Sequence, residues 1–458
     1  MIGNREQVVR TLLLAVLGLI FAYETFQLVL IASNLRPVAD DYCLAGVANL
    51  GPIDYYRYWY TYFIGDLSTL TGNYFLIALP AVFLPYGIGT SVTFFACLIL
   101  LSVTIVKFLN QKKTTRLHRL LSFTMIFFFV YLSWIGYWFT LGRGNSGDEI
   151  SRGVAGDMVF FGSIMNWQAA NINYVVLPCI ALLIYSKMFT NSFQNWNLLL
   201  VALLGFVIGG SFYVLGSVFI FLIMLQLFFN YVKFTDSTIR SFRNEIIVLV
   251  LALVSIASSY FSPGAQNRRL SYPQDVSFAS IGKTAIDGIF NWFSTLYFPA
   301  ILVTFLLGAA LCRIFSAIGI NQFELDVTKF VVTPLILSIL TFVVTKVSEL
   351  FAYKAWWHEL SSRTFLYIFT LTFGVYCMDQ LMTRFKLEFS LFELVIGSSA
   401  IFIALYSVKQ SGDAITERKV RWEQGPAQVT LNMDPFDRET EWVDVCWREL
   451  EEKKKFLL

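Results

Sequence analysis

The sequence predicts an all-α polytopic membrane protein, a bundle of about eleven transmembrane helices with outer-face loops and a small C-terminal extramembrane tail. Composition is the first reason. The 458 residues are 57% hydrophobic and 14% charged, with mean hydropathy +0.63, whereas a soluble domain carries roughly 25% charged residues. The second reason is the recurrence of apolar runs about 20 residues long, enough to cross about 30 Å of hydrocarbon at 1.5 Å per residue. The third is that Lys and Arg collect in alternate short connections, as they do on the cytoplasmic side of membrane proteins. Forty-five Phe, 22 Tyr and 11 Trp supply apolar surface and interfacial rings. A net charge of +3 gives no basic field for nucleic acid. Six cysteines, with no CxxC and no His nearby, indicate neither a zinc site nor a disulfide framework.

In chain order the apolar runs fall near 11–33, 87–109, 120–140, 172–190, 198–212, 214–232, 245–262, 294–312, 330–349, 364–382 and 388–408. The fifth and sixth are short and nearly continuous. A further segment at 73–86, broken by Pro80 and Pro85, has the length of a partial crossing. The first run is longer than a signal peptide's apolar region and reads as an uncleaved anchor. These runs make a transmembrane module of 1–408, with a first outer loop at 34–86, followed by a tail at 409–458.

The densest basic cluster, Lys107 to Arg119, sets the cytoplasmic side. Arg5 and Arg10, then Lys233, Arg240 and Arg243, then Arg384 and Lys386 agree with it if the segments alternate. The amino terminus is then cytoplasmic. Lys187 and Lys233 both fall inside, so the stretch between them crosses twice and turns near Gly209 and Gly210. The tail ends outside. The outer connections hold the mixed charges, which points to chemistry on the outer face of a cytoplasmic (inner) membrane.

The first outer loop opens with "RPVADDYCLAG", in which Asp40 and Asp41 are adjacent. Two carboxylates held together do not ionise independently, which suits a general base, a metal site or a proton pathway; a helix N-cap at Asp40 accounts for the same residues. Asp40 is seven residues past Ser33, so at no more than about 3.6 Å per residue it lies within roughly 25 Å of the bilayer edge. "DYYRYWYTYF", Asp54 to Phe63, is dense in Tyr and Trp around Arg57 and reads as a surface helix. Its rings either anchor at the headgroup layer or also stack on a sugar or lipid headgroup.

Three short elements resemble a known family. "ADDYC" after the first helix, "WQAANINYVVLP" (Trp167 to Pro178) and "SPGAQNRR" (Ser262 to Arg269) are similar, in order, to elements of the bacterial multi-pass proteins of the GT-C glycosyltransferase superfamily. The similarity is to their glucosyltransferase-like and uncharacterised Asp-Asp-Tyr groups. Departures are Ala170 in place of Gly, the displaced Asn267, and no carboxylate after the small residues of Gly209 to Gly216.

The resemblance implies a GT-C-like bundle and a lipid-linked sugar donor on polyprenyl phosphate, with a glycan, lipid or protein of the cell envelope as acceptor. It puts the catalytic base on Asp40 or Asp41. The departing phosphate then calls for cations, and Arg268 and Arg269 come first, with Arg363 and Lys354 after them. Contact with membrane lipid headgroups accounts for Arg268 and Arg269 equally. Tyr42, Arg57, Trp59, Trp167, Asn173, Tyr174 and His358 are the candidate substrate contacts. No cofactor is required; a divalent cation, Mn²⁺ or Ca²⁺, fits Asp40 and Asp41, although few further oxygen ligands can be named.

Other features are weaker. The Gly-rich Leu141 to Asp157 lacks the GxxxxGK[ST] pattern and reads as an outer loop, with Asp148 or Glu149 as acceptor contacts. Glu24 stands in the middle of the first apolar run, where a carboxylate needs a polar cavity or a partner. The tail carries a β-prone run, Ala427 to Met433, and a helix-like stretch, Glu439 to Lys455, with too few residues for a core of its own. Cys43 and Cys446 both fall outside, where a disulfide between them is open. Two alternatives stand beside the transferase: a transporter or flippase of lipid-linked sugars, with the Asp pair and Glu24 in a relay, and a noncatalytic GT-C-like subunit of a membrane complex. The absence of an internal repeat and the gathering of polar residues at outer ends favour the enzyme over the carrier.

Overall fold

Within hydrocarbon a backbone must close its own hydrogen bonds, and helices do so without a partner. Every described element of the protein is helical. The computed structural model describes residues 2–34, 86–109, 116–144, 172–189, 198–210, 213–233, 242–261, 276–294, 296, 298–317, 331–350, 360–385 and 391–423. In order these form α1 (Ile2–Asn34), α2 (Tyr86–Leu109), α3 (Arg116–Gly144), a π turn (Ile172–Val176) that leads into α4 (Leu177–Phe189), α5 (Leu198–Gly209), α6 (Tyr213–Lys233) and α7 (Arg243–Tyr260). They continue as α8 (Phe278–Ser294), α9 (Phe298–Ala317), α10 (Thr333–Ser348), α11 (Leu360–Phe385) and α12 (Leu391–Glu423).

Three stretches are long and apolar enough to cross a membrane: Ala15–Asn34, Phe298–Ser316 and Leu360–Arg384. Shorter apolar helices occupy Ser91–Lys107, Ser122–Trp138, Tyr174–Tyr185, Leu198–Gly209, Val214–Phe228 and Thr333–Ser348. Each of the eleven long apolar runs coincides with a helix, and the segment 73–85 lies outside the described residues. The chain breaks between α5 and α6 at the Gly209–Gly210 pair, where a turn was expected. α12 runs unbroken through residue 409 to Glu423.

Exposure on these helices inverts the rule for soluble proteins. Leu19 on α1 is 73% exposed, while Glu24 one turn on is 1% exposed. Leu199, Phe221 and Phe402 likewise face outward. Helices that are apolar on both sides suit a bundle surrounded by lipid, where polar groups gain most by turning inward.

Close approach through small residues sets the packing. Gly308 of α9 and Gly374 of α11 form a reciprocal pair: a Cβ on the first would strike the Leu371 carbonyl, and one on the second the Phe305 carbonyl. On α5, Gly205 and Gly209 are spaced as GxxxG; a Cβ at Gly205 would come within 2.9 Å of the Val248 backbone in α7, and one at Gly209 would strike Ala252. Side-chain pairs give directions. Gln27 lies against Gly412, and Asn34 donates to Thr416 Oγ1 at 3.1 Å, so α1 and α12 run the same way. The ring of Phe21 stacks on Phe128 at 4.9 Å while Glu24 lies near Tyr131, so α3 also runs with α1. α11 runs against α3, because Tyr367 meets Ser133 and Arg363 meets Tyr137.

The sequence did not reveal α8. It lies in the connection 263–293 and presents three sides. Gly288 and Trp292 are buried against α10; Lys283, Asp287 and Asn291 form an exposed polar side; Ile286, Ile289, Phe290 and Phe293 form an exposed apolar stripe. Ser338 of α10 is level with Ser362, near the start of α11. α8 packs along α10 from Ser338 to Lys346.

Candidate functional site

The start of α11 reads Leu360-Ser361-Ser362-Arg363-Thr364, four consecutive polar residues in an otherwise apolar helix. Successive side chains on a helix diverge by about 100°, so each of the four meets a different neighbour. All four are buried, with Arg363 only 8% exposed.

Ser362 faces α10. Its Oγ donates to the Ser338 carbonyl at 2.7 Å and lies 3.1 Å from the Ser338 hydroxyl, which also receives the indole N–H of Trp292 at 3.1 Å. Three helices, α8, α10 and α11, are thus tied by hydroxyls and one indole.

Thr364 faces the π turn. Pro178, four residues after Tyr174, has no N–H to offer that residue's carbonyl. Thr364 Oγ1 donates to it at 2.6 Å, while also reaching the Leu360 carbonyl at 3.1 Å. This bond joins α11 to the Trp167–Pro178 element, and a buried hydrogen bond of this kind contributes about 1 kcal/mol.

Arg363 faces α3, where its guanidinium donates to the Tyr137 hydroxyl. Beneath it lies an aromatic cluster. Trp134 meets Tyr367 edge-on at 4.8 Å, Trp138 meets Trp134 at 5.3 Å and Tyr137 at 5.4 Å. The Tyr367 hydroxyl is 2.7 Å from Ser133 Oγ and donates to the Val130 carbonyl at 3.2 Å. These contacts fix the ring stack and hence the floor on which the guanidinium rests.

Ser361 is the remaining member. Its hydroxyl is fully buried and meets no hydrogen-bond partner among the described residues. The first N–H groups of α11 point the same way as any helix start, towards incoming negative charge. A guanidinium fork and helix-start amides are each groups that suit a phosphate-type oxyanion.

Of the expected site residues, the structure brings Arg363 and Tyr174 to one place, adjacent through Thr364. Asn173 lies on the same π turn. Asp40, Asp41, Tyr42, Arg57, Trp59, Trp167, Arg268, Arg269, Lys354 and His358 lie outside the described residues. So do the Asp54–Phe63 surface helix, Asp148, Glu149, the stretches 427–433 and 439–455, and the Cys43–Cys446 pair. Among the described residues no three His, Cys, Asp or Glu side chains group as metal ligands.

No family model, no curated protein and no solved structure matches the chain.

Tyr137, Ser361, Ser338 and Trp292 belong to the site without having been expected. Aromatic and hydroxyl residues are too common in this chain to stand out, and only the run of four polar residues at 361–364 marked the place.

Proposed function

We propose that the chain is an inverting glycosyltransferase of the GT-C superfamily, a hexosyl- or pentosyltransferase that uses a polyprenyl-phosphate sugar. It crosses the cytoplasmic membrane about eleven times, with the amino terminus inside and the tail outside, and glycosylates a cell-envelope glycan, lipid or protein at the outer face. The observation that carries this reading is the junction of Arg363 with the Trp167–Pro178 element through Thr364 and Tyr174. Two features singled out separately in the sequence, a cation for phosphate and an element similar to the superfamily's, are neighbours in space.

In this reaction Asp40 or Asp41 takes the proton of the acceptor hydroxyl. The oxygen attacks the anomeric carbon opposite the phosphate, a new C–O bond forms, and the bond from that carbon to the phosphate oxygen breaks with inversion. The electron pair leaves on polyprenyl phosphate. Arg363, with Arg268, Arg269 and Lys354, meets the charge that develops there. A divalent cation held by Asp40 and Asp41 would supply a second positive group at the same stage.

The test supplies purified protein with a panel of polyprenyl-phosphate sugars and envelope acceptors. Asp40→Asn or Asp41→Asn is expected to lower transfer at least a hundredfold, the usual scale for a general base. Transfer that survives both substitutions removes the proposed base. One observation favours a carrier of lipid-linked sugars instead, the carboxylate of Glu24 buried at mid-helix; movement of the donor between leaflets without transfer would decide for it.

A further inference from the structure

We propose that Glu24 is an exchangeable proton-binding site built into the interface of α1, α3 and α12, with the proton carried on Oε2. The inference does not depend on the transferase reading. Glu24 is 1% exposed, and its Oε2 meets no hydrogen-bond partner among the described residues. Facing it from α3 is Tyr131, fully buried, whose hydroxyl is also without a partner. The two groups are within electrostatic reach of each other. A carboxyl kept only for packing would have both oxygens satisfied; here two helices leave an acceptor and a donor open to one another in the apolar interior. Among the described residues no cation lies beside Glu24 to compensate its ionised form. With a proton on Oε2 it becomes a neutral donor that Tyr131 can receive, directly or through one water.

Further polar side chains lie on the same side of α1 as Glu24. Along the same side of α1 stand Gln27 and Asn34, each 7% exposed. Gln27 Oε1 lies against Gly412, where a Cβ would come within 2.9 Å of it, and Asn34 donates to Thr416. Ser411 of α12 is buried beside them. This polar line runs about 15 Å from Glu24 to the C-terminal end of α1.

The other titratable groups near Glu24 are few. Tyr23 on α1 hydrogen-bonds Gln27 and feels Asp413 of α12. Lys409 of α12 is exposed, and Cys97 of α2 faces Cys179 instead. The small residue at Gly412 is what lets α12 close over this line.

Infrared difference spectroscopy of the full chain in lipid, between about pH 5 and about pH 9, tests the proposal. Wild type is expected to show the carbonyl stretch of a neutral carboxylic acid that is missing from Glu24→Gln and that loses at least half its intensity across the range. Glu24→Asp should shift the band rather than remove it, which covers a failure of the Gln variant to fold. Tyr131→Phe should move the midpoint at least threefold in proton concentration, a change that a purely structural tyrosine would not produce. A Glu24 that shows only the ionised carboxylate band at every pH, or a neutral band that never changes, overturns the proposal.

Discussion

At the scale of single residues, the site at the start of α11 makes distinct demands on neighbours one position apart. Arg363→Lys keeps a positive charge but gives up the planar fork and the bond to Tyr137, so transfer should fall roughly tenfold, about 1.4 kcal/mol, with the bundle intact. Turnover at saturating donor, set beside a thermal melt of the purified variant, separates the two effects. Thr364→Val has the opposite profile. It deletes the hydroxyl donor to the Tyr174 carbonyl and should cost stability, about 1 kcal/mol, measured as a lowered melting temperature. Arg363 could be picked out in the sequence because a charge is rare in apolar surroundings, and Tyr174 because it lies in the Trp167–Pro178 element. Tyr137 and Ser361 could not, since a buried tyrosine or serine looks like any other until a second helix arrives.

At the scale of elements, hydrophobic length carried most of what was legible. A run of about 20 apolar residues has few folded fates other than a helix, and the helices stand where the runs were marked. α8 escaped because its apolar stripe recurs every three or four residues between Lys283, Asp287 and Asn291, and never forms a run. The partners of each helix were also hidden, for they depend on which glycines face one another. Gly308 and Gly374 show this most sharply, because each backbone carbonyl occupies the space a side chain on the other helix would need. Gly308→Leu or Gly374→Leu should therefore destabilise the bundle by about 3 kcal/mol, the scale of overpacking with nowhere to relax. Gly18, whose Cβ would meet nothing within 4 Å, is the control, and Gly18→Leu should leave the melting temperature within a degree or two. Leucine is a better helix former than glycine, so a loss at Gly308 and Gly374 cannot come from propensity; equal loss at all three positions would mean that the α9–α11 approach does not govern.

At the scale of the whole molecule, direction is the property that links the helices to the membrane. The sequence supplied sidedness only through the distribution of Lys and Arg, and the helix contacts provide an independent constraint. α1 and α12 run in the same direction, as the pairs of Gln27 with Gly412 and Asn34 with Thr416 require. If both helices span the bilayer, the chain after Asn34 and the chain after Glu423 emerge on one side, and the number of crossings from α1 through α12 is odd. Two native cysteines report on this without any substitution, since Cys43 follows α1 and Cys446 follows α12. Cys97, Cys179 and Cys312 are buried within the bundle and should stay silent. After mild reduction to open any bridge between the first two, a membrane-impermeant maleimide added to intact cells should label Cys43 and Cys446 alike, read by mass spectrometry of the purified chain. Labelling of Cys43 alone would place the tail on the opposite side, and an even number of crossings would then have to be reconciled with two parallel helices, leaving α12 as a helix that packs on the bundle without spanning it. Labelling of neither until the cells are permeabilised would turn the whole molecule over, and with it the side on which Arg363 lies.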